Sequence, residues 1–281
     1  MAGVHGLPFE SVAAELSYAD WPGDDPPVVL VPGIFSSQRA LGGLARALSP
    51  TRRVIAFDLR GRGRAPLTGP FGITRHAQDL WRAIDALGLK SPLLVGHSLG
   101  AFVVAAAAGT RAGAASGLAL LDGGVWSPHP IPVELVHALF ADDRARLGRS
   151  FADVEAYAAD RELDPTAEVL HEIGYELGPS GDLLSPVMPV EAFDEDVASI
   201  AADPRRNGLL ADAESPVLVI RALRGIGGNP LAQMIDDATR DAARAEVPRL
   251  QVVDFADATH GQLVRAPFAA QVALEILALG A

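Results

Sequence analysis

The chain has 281 residues, 49% of them hydrophobic and 21% charged, enough to bury a large core and too apolar for global disorder. A formal net charge of −12 opposes non-specific binding to nucleic acid, and the absence of cysteine excludes disulfides, zinc-thiolate sites and a thiol nucleophile. The first residues lack a basic stretch followed by an apolar one, and no apolar run is long enough to span a membrane. A cytoplasmic protein with no membrane partner is therefore expected.

In chain order, residues 9–18 alternate Val12, Ala14, Leu16 and Tyr18, which predicts one half-buried edge strand. Residues 21–27, rich in Pro, Gly and Asp, read as a turn and linker. The apolar run Val28–Val31 reads as a buried parallel strand, and Pro32-Gly33-Ile34-Phe35-Ser36-Ser37 as the loop after it. Residues 40–48 present Leu41, Leu44 and Leu48 on one helical face. A strand over 53–58 leads into the basic loop Arg60-Gly61-Arg62-Gly63-Arg64. Residues 74–87 form an amphipathic helix with Ala77, Leu80, Trp81, Ile84 and Leu87 inward.

The strand over 92–95 runs into Gly96-His97-Ser98-Leu99-Gly100 and then an alanine-rich helix over 99–108. Strand, Gly-x-Ser-x-Gly and helix in that order predict a sharp elbow presenting Ser98 at a helix N-terminus. The flanking glycines admit backbone that passes too close for side chains. Gly117–Leu121 predicts the next strand, ending at Asp122-Gly123-Gly124.

The strand–helix rhythm then stops. Residues 125–210 read as helices broken by Pro and Gly, with no strand, and are too long for a plain loop. They are expected to form a helical cap over the sheet that controls substrate choice. Trp126, Phe140, Phe151, Tyr157, Tyr175, Leu177, Met188 and Phe193 are its candidate apolar residues. The rhythm resumes with a strand at 216–220, a helix at 230–245, the strand Leu250–Phe255 and a helix at 267–279. The fold class is thus α/β, a mostly parallel central sheet with helices on both faces. Core residues 1–124 and 211–281 enclose the inserted cap at 125–210.

A serine hydroxyl needs a base to act as a nucleophile. His260 follows the last strand, where groups at the carboxyl ends of parallel strands gather, and is the candidate base. His97 should point away from Ser98 and play a structural part. His76 reads as surface or packing, and His129, His137 and His171 as cap residues without a role. A tetrahedral oxyanion needs two donors. The backbone N–H of Leu99 is one, and that of Ile34 the other, since Pro32 has none. The Arg60, Arg62 and Arg64 loop lacks the lysine of a phosphate-binding loop, Gly225-Ile226-Gly227-Gly228 lacks dinucleotide spacing, and no metal motif occurs. No cofactor and no metal are expected.

These motifs resemble the α/β-hydrolase superfamily with serine nucleophiles. Pro32-Gly33-Ile34 is similar to its oxyanion loop, Asp58-Leu59-Arg60-Gly61-Arg62-Gly63 to its Asp-x-Arg-Gly-x-Gly loop, and His260-Gly261 to its terminal catalytic loop. The resemblance spans roughly residues 10–280 and implies an esterase or lactonase working through an acyl-enzyme on a small apolar ester or lactone. C–C bond hydrolases, lyases and non-hydrolytic proteins share the scaffold and stay open.

One departure stands out. The family usually places its acid after the strand that follows the cap, and residues 221–230 contain neither Asp nor Glu. Asp122, at the end of the strand beside the nucleophile strand, is the candidate acid, with Asp236 and Asp237 as alternatives.

Overall fold

A computed structural model of the chain describes residues 9–49, 51–129, 132–147, 149–152, 155–156, 159, 183–184, 188–202 and 206–279. Tyr157, His171, Tyr175 and Leu177 lie outside them. Among the described residues, one eight-stranded sheet forms from β1 (Phe9–Ala13), β2 (Leu16–Trp21), β3 (Val28–Val31), β4 (Val54–Phe57), β5 (Leu93–His97), β6 (Gly117–Leu121), β9 (Val217–Ala222) and β10 (Leu250–Phe255). Their order is β1-β2-β4-β3-β5-β6-β9-β10, antiparallel at β1-β2 and β2-β4 and parallel elsewhere.

The central strands β3, β4, β5, β6 and β9 are buried at every position because both faces are covered. Side chains still alternate. Val28, Leu30, Val54 and Ala56 join a core with α1 (Gly42–Leu48) and α9 (Ala269–Leu279). Val29, Val31, Ile55 and Phe57 join the opposite core with α2 (Ile73–Ala86) and α3 (Leu99–Thr110). Helix α3 runs between the sheet and its neighbours and is buried from Leu99 to Ala108, which explains its alanine-rich, uniformly apolar sequence.

Three local expectations give way. Residues 9–18 are not one strand. Ala14 and Glu15 take positive φ (46° and 77°) and turn the chain into the β1-β2 hairpin. Such turns favour Asn-Gly or Asp-Gly, so an Ala-Glu pair gives no signal in sequence. The helix expected over 230–245 is α8 (Asp237–Glu246), capped by the Asp236 side chain, which accepts from Thr239 N. Residues 125–210 do contain strands. Ser150–Phe151 (β7) and Leu183–Leu184 (β8) pair antiparallel in a two-residue ribbon, shorter than any periodicity can reveal.

That region also carries α4 (Val133–Leu139), α5 (Ala141–Ala145), α6 (Val190–Ala202) and α7 (Gly208–Asp212). The N-cap of α2 is Gly72, which has no side chain to cap with. Helix α6 supplies the acceptors instead. Glu195 accepts from Phe71 N at 2.9 Å, Asp196 from Gly72 N at 2.8 Å and Ser199 from Ile73 N at 2.9 Å. Helix α7 packs on α3 and Trp126 packs edge-on against Phe102, so both belong to the sheet-side core. Met188 and Phe193 join Ile34, Phe35 and Phe140 in a separate apolar cluster over the loop after β3. Among the described residues no helix is long and apolar enough to cross a membrane.

Candidate active site

The loops that follow β3, β4, β5, β6, β9 and β10 all leave the same edge of the sheet, because these strands are parallel. The carboxyl edge of such a sheet is where functional groups collect. At its centre β5 ends at His97, Ser98 takes φ 56° and ψ −120°, and α3 begins at Leu99. A positive φ for a residue with a Cβ costs about 1–3 kcal/mol and persists only where the surroundings enforce it. Here they do. A Cβ on Gly96 would lie 2.2 Å from Gly100 O, and one on Gly100 would lie 2.2 Å from Val31 O. The Ser98 N–H is tied to Leu121 O at 3.0 Å.

Asp122 follows β6 and also has positive φ, 48°. It is 1% exposed. Its Oδ2 lies 2.8 Å from His260 Nδ1, and its Oδ1 accepts from Ala222 N at 3.3 Å. An ionised carboxylate can only accept, so His260 Nδ1 is the donor in this contact and Nε2 is the ring nitrogen left for other partners. The backbone of His260 is fixed on two sides. Its N–H donates to Gly225 O at 3.0 Å, and its carbonyl accepts from His97 Nε2 at 3.0 Å. The Gly225–Gly228 loop therefore serves the histidine's main chain. Thr259 and Gln262 form a reciprocal capping box at the same turn.

His97 takes the structural part expected of it. Its ring lies 4.7 Å from that of His260, and burial, followed by the nearby His260, pushes its pKa down to about 3. It stays neutral and works as a donor. The two rings are tilted by 34°, and Ser98 follows His97 directly in the chain. Among the described side chains, Ser98 Oγ makes no hydrogen bond to His260.

Gly33 lies against the elbow, where a Cβ would sit 3.2 Å from that of Ser98. Its carbonyl accepts from Ser36 N at 3.2 Å. The trans Gly33-Ile34 peptide then points the Ile34 N–H the opposite way. Leu99, first residue of α3, has no intrahelical acceptor for its N–H. Asp58, 1% exposed, fastens this loop to the next by accepting from Ser17 Oγ, Gln38 N and Arg64 N.

The remaining candidates are otherwise engaged. Asp236 caps α8, and Asp237 pairs with Arg221 and Arg240. His76, expected at the surface or in plain packing, is fully buried, with Nε2 2.8 Å from Asp196 Oδ1. Arg60 and Arg62 are buried as well. Arg60 pairs with Asp79 and Glu15, and Arg62 with Asp196. Sequence reasoning missed Arg62 and Asp196 because their 134-residue separation leaves no local pattern. His129 is exposed, and His137 rests on Phe193 at 5.3 Å.

An open, mostly parallel sheet with a glycine-flanked serine at a strand–helix elbow defines the α/β-hydrolase class. The sequence model of the alpha/beta hydrolase fold matches residues 26–267, and the chain belongs to that family of enzymes. N-formylmaleamate deformylase of Pseudomonas putida is 33% identical over 162 residues, which cover 55% of this chain and 60% of that protein. Esterase YbfF of Escherichia coli is 38% identical over 80 residues, 28% of this chain and 32% of that one. The chain thus matches less than two thirds of the length of either relative. The crystal structure of E-2-(acetamidomethylene)succinate hydrolase superposes with a TM-score of 0.76, covering 96% of this chain and 97% of that one. At 24% identity that likeness is one of fold.

Proposed function

We propose that the protein is a serine hydrolase that cleaves a small carboxylic ester or lactone through an acyl-enzyme. The observation that carries the reading is the 2.8 Å contact of His260 Nδ1 with the buried Asp122 carboxylate, the His260 ring lying 4.7 Å from that of His97, the residue before the strained Ser98. Asp122 fixes the tautomer and stabilises the imidazolium that forms. His260 Nε2 takes the Ser98 proton as Oγ attacks the acyl carbon. The developing oxyanion meets the N–H groups of Ile34 and Leu99. Collapse expels the leaving alcohol, which takes its proton from His260. A water molecule, activated by the same histidine, then releases the acid. No metal or cofactor has a part in these steps.

Residues 125–210 act in this reading as the cap, with Phe35, Phe140, Phe193 and Met188 supplying apolar surface beside Ile34. A second reading is favoured by the longer of the two sequence matches. The Pseudomonas putida relative is named for removing a formyl group from N-formylmaleamate, so an N-acyl substrate belongs in the test. Purified protein is mixed with p-nitrophenyl esters, lactones, N-formyl amides and β-diketones of graded chain length. Ester or lactone turnover with a burst matching the enzyme concentration is expected. Turnover of N-formyl amides alone selects the second reading, turnover of diketones alone points to C–C cleavage, and no turnover of any class overturns the proposal.

A further inference from the structure

Arg62 is 0% exposed and its guanidinium meets three elements at once. Nε donates to the carbonyl of Ile34 at 2.6 Å, Nη1 to the carbonyl of Arg60 at 3.0 Å, and Nη2 to Asp196 on α6. Asp196 is equally buried and accepts in addition from Gly72 N and from His76 Nε2, both at 2.8 Å. The first contact falls on the residue whose N–H is one proposed oxyanion donor. Gly33 O, held by Ser36 N, orients the peptide before Ile34, and Arg62 orients the peptide after it. With both peptide planes fixed, the Ile34 N–H has no freedom left to swing.

We propose that Arg62 is a positioning residue that sets the Ile34 oxyanion donor through the Ile34 carbonyl, with Asp196 of α6 aiming it. Docking of α6 and ordering of the oxyanion loop are then one event. The inference rests on the serine-hydrolase reading above. Arginine is required because its planar fork serves separate acceptors in fixed directions, whereas lysine is a single point charge. A purely structural ion pair needs only the charge.

The test is Arg62→Lys, which keeps a cation for Asp196 and loses the bridge to Ile34. Three readouts are taken: hydrogen exchange of residues 33–36, the rate of Ser98 labelling by a fluorophosphonate, and kcat and KM on an ester. Faster exchange in 33–36, with labelling and kcat down about 10–100-fold and KM little changed, is expected for a misplaced donor. A folded Arg62→Lys with wild-type exchange, labelling and kcat overturns the proposal. If that variant does not fold, Asp196→Asn takes its place, with the same changes to a smaller degree expected and no change overturning it. If neither folds, native-state exchange of the wild type decides. Amides of 33–36 and of α6 should share one urea dependence, and separate dependences overturn the coupling. Wild-type protein that is never labelled fails the hydrolase reading instead, while the exchange measurement still judges the tether.

Discussion

Among the described residues two histidine–aspartate pairs are joined by a hydrogen bond, and they differ in how far the ring is open to solvent. His260 binds Asp122 through Nδ1 at 2.8 Å, and its side chain keeps 15% exposure beside the Ser98 elbow. His76 binds Asp196 through Nε2 at the same distance, with both side chains fully buried and Nδ1 left without a hydrogen-bond partner. Backbone strain divides them too. Asp122 and Ser98 take positive φ, and Arg62, His76 and Asp196 do not. A histidine–aspartate contact is therefore no signature of chemistry by itself. In the proposed mechanism, access of the second nitrogen to a nucleophile, on backbone held against its preference, is what separates a reactive pair from a structural one.

The comparison breaks most sharply at the carboxylates. Asp122→Asn should lower turnover by about three to four orders of magnitude, as loss of the acid does in serine proteases, with the melting temperature nearly unchanged. Asp196→Ala should act first on stability, lowering it in urea by about 3–5 kcal/mol because Arg62 is left buried without its counter-ion, and should lower turnover far less than Asp122→Asn does, through the loosened Ile34 donor. Replacing both partners, as Arg62→Met with Asp196→Leu, should recover much of that loss. If Asp122→Asn keeps most activity while Asp236→Asn or Asp237→Asn does not, the acid is one of those two and His260–Asp122 is not the reactive pair. A deletion of residues 128–208 would also remove Asp196, so it should destabilise the sheet domain as well as alter chain-length preference.

What was legible in sequence follows the same division. Gly96, Ser98 and Gly100 encode a local turn within five residues, so the motif carries its own geometry. His260 and Asp122 were readable as positions because parallel strands deliver their carboxyl ends to one edge. Arg62, His76 and Asp196 were not, since burial of a charge depends on partners far along the chain. Nothing in a helix pattern distinguishes an acid that faces water from one that faces an arginine. The Ala14-Glu15 turn was hidden for a different reason. Its residues are ones that rarely adopt positive φ, and the hairpin register imposes it.

Acid should separate two further groups. Burial, which would raise the Asp196 carboxyl, is outweighed by Arg62 and His76, and its pKa is lowered to about 2. Its contribution is present above the ordinary 3.8 and is lost as pH falls through 2. His97, pushed from 6.5 to about 3, is neutral in folded and unfolded chains above pH 6.5. Between 6.5 and 3 only the unfolded chain takes up the proton, so stability falls with pH across that window. Urea midpoints measured from pH 8 to pH 4 should therefore decline in the wild type and flatten in His97→Gln, whose amide can still donate to the His260 carbonyl. An equal decline in both proteins would remove His97 from the explanation.

The smallest effect concerns strain. Ser98→Ala keeps the Cβ that φ 56° disfavours, whereas Ser98→Gly does not. The glycine variant should be the more stable of the two by about 1 kcal/mol, read from urea unfolding. Equal stabilities would mean that the elbow carries little strain.

The central claim is that Ser98 is a nucleophile served by the Asp122–His260 pair. Intact-protein mass spectrometry after a fluorophosphonate tests it directly. One adduct per chain, mapped to Ser98, absent in Ser98→Ala, strongly slowed in Asp122→Asn and little affected in His76→Gln, is the predicted result. No adduct on the wild type, or an adduct at another residue that survives Ser98→Ala, would contradict the account.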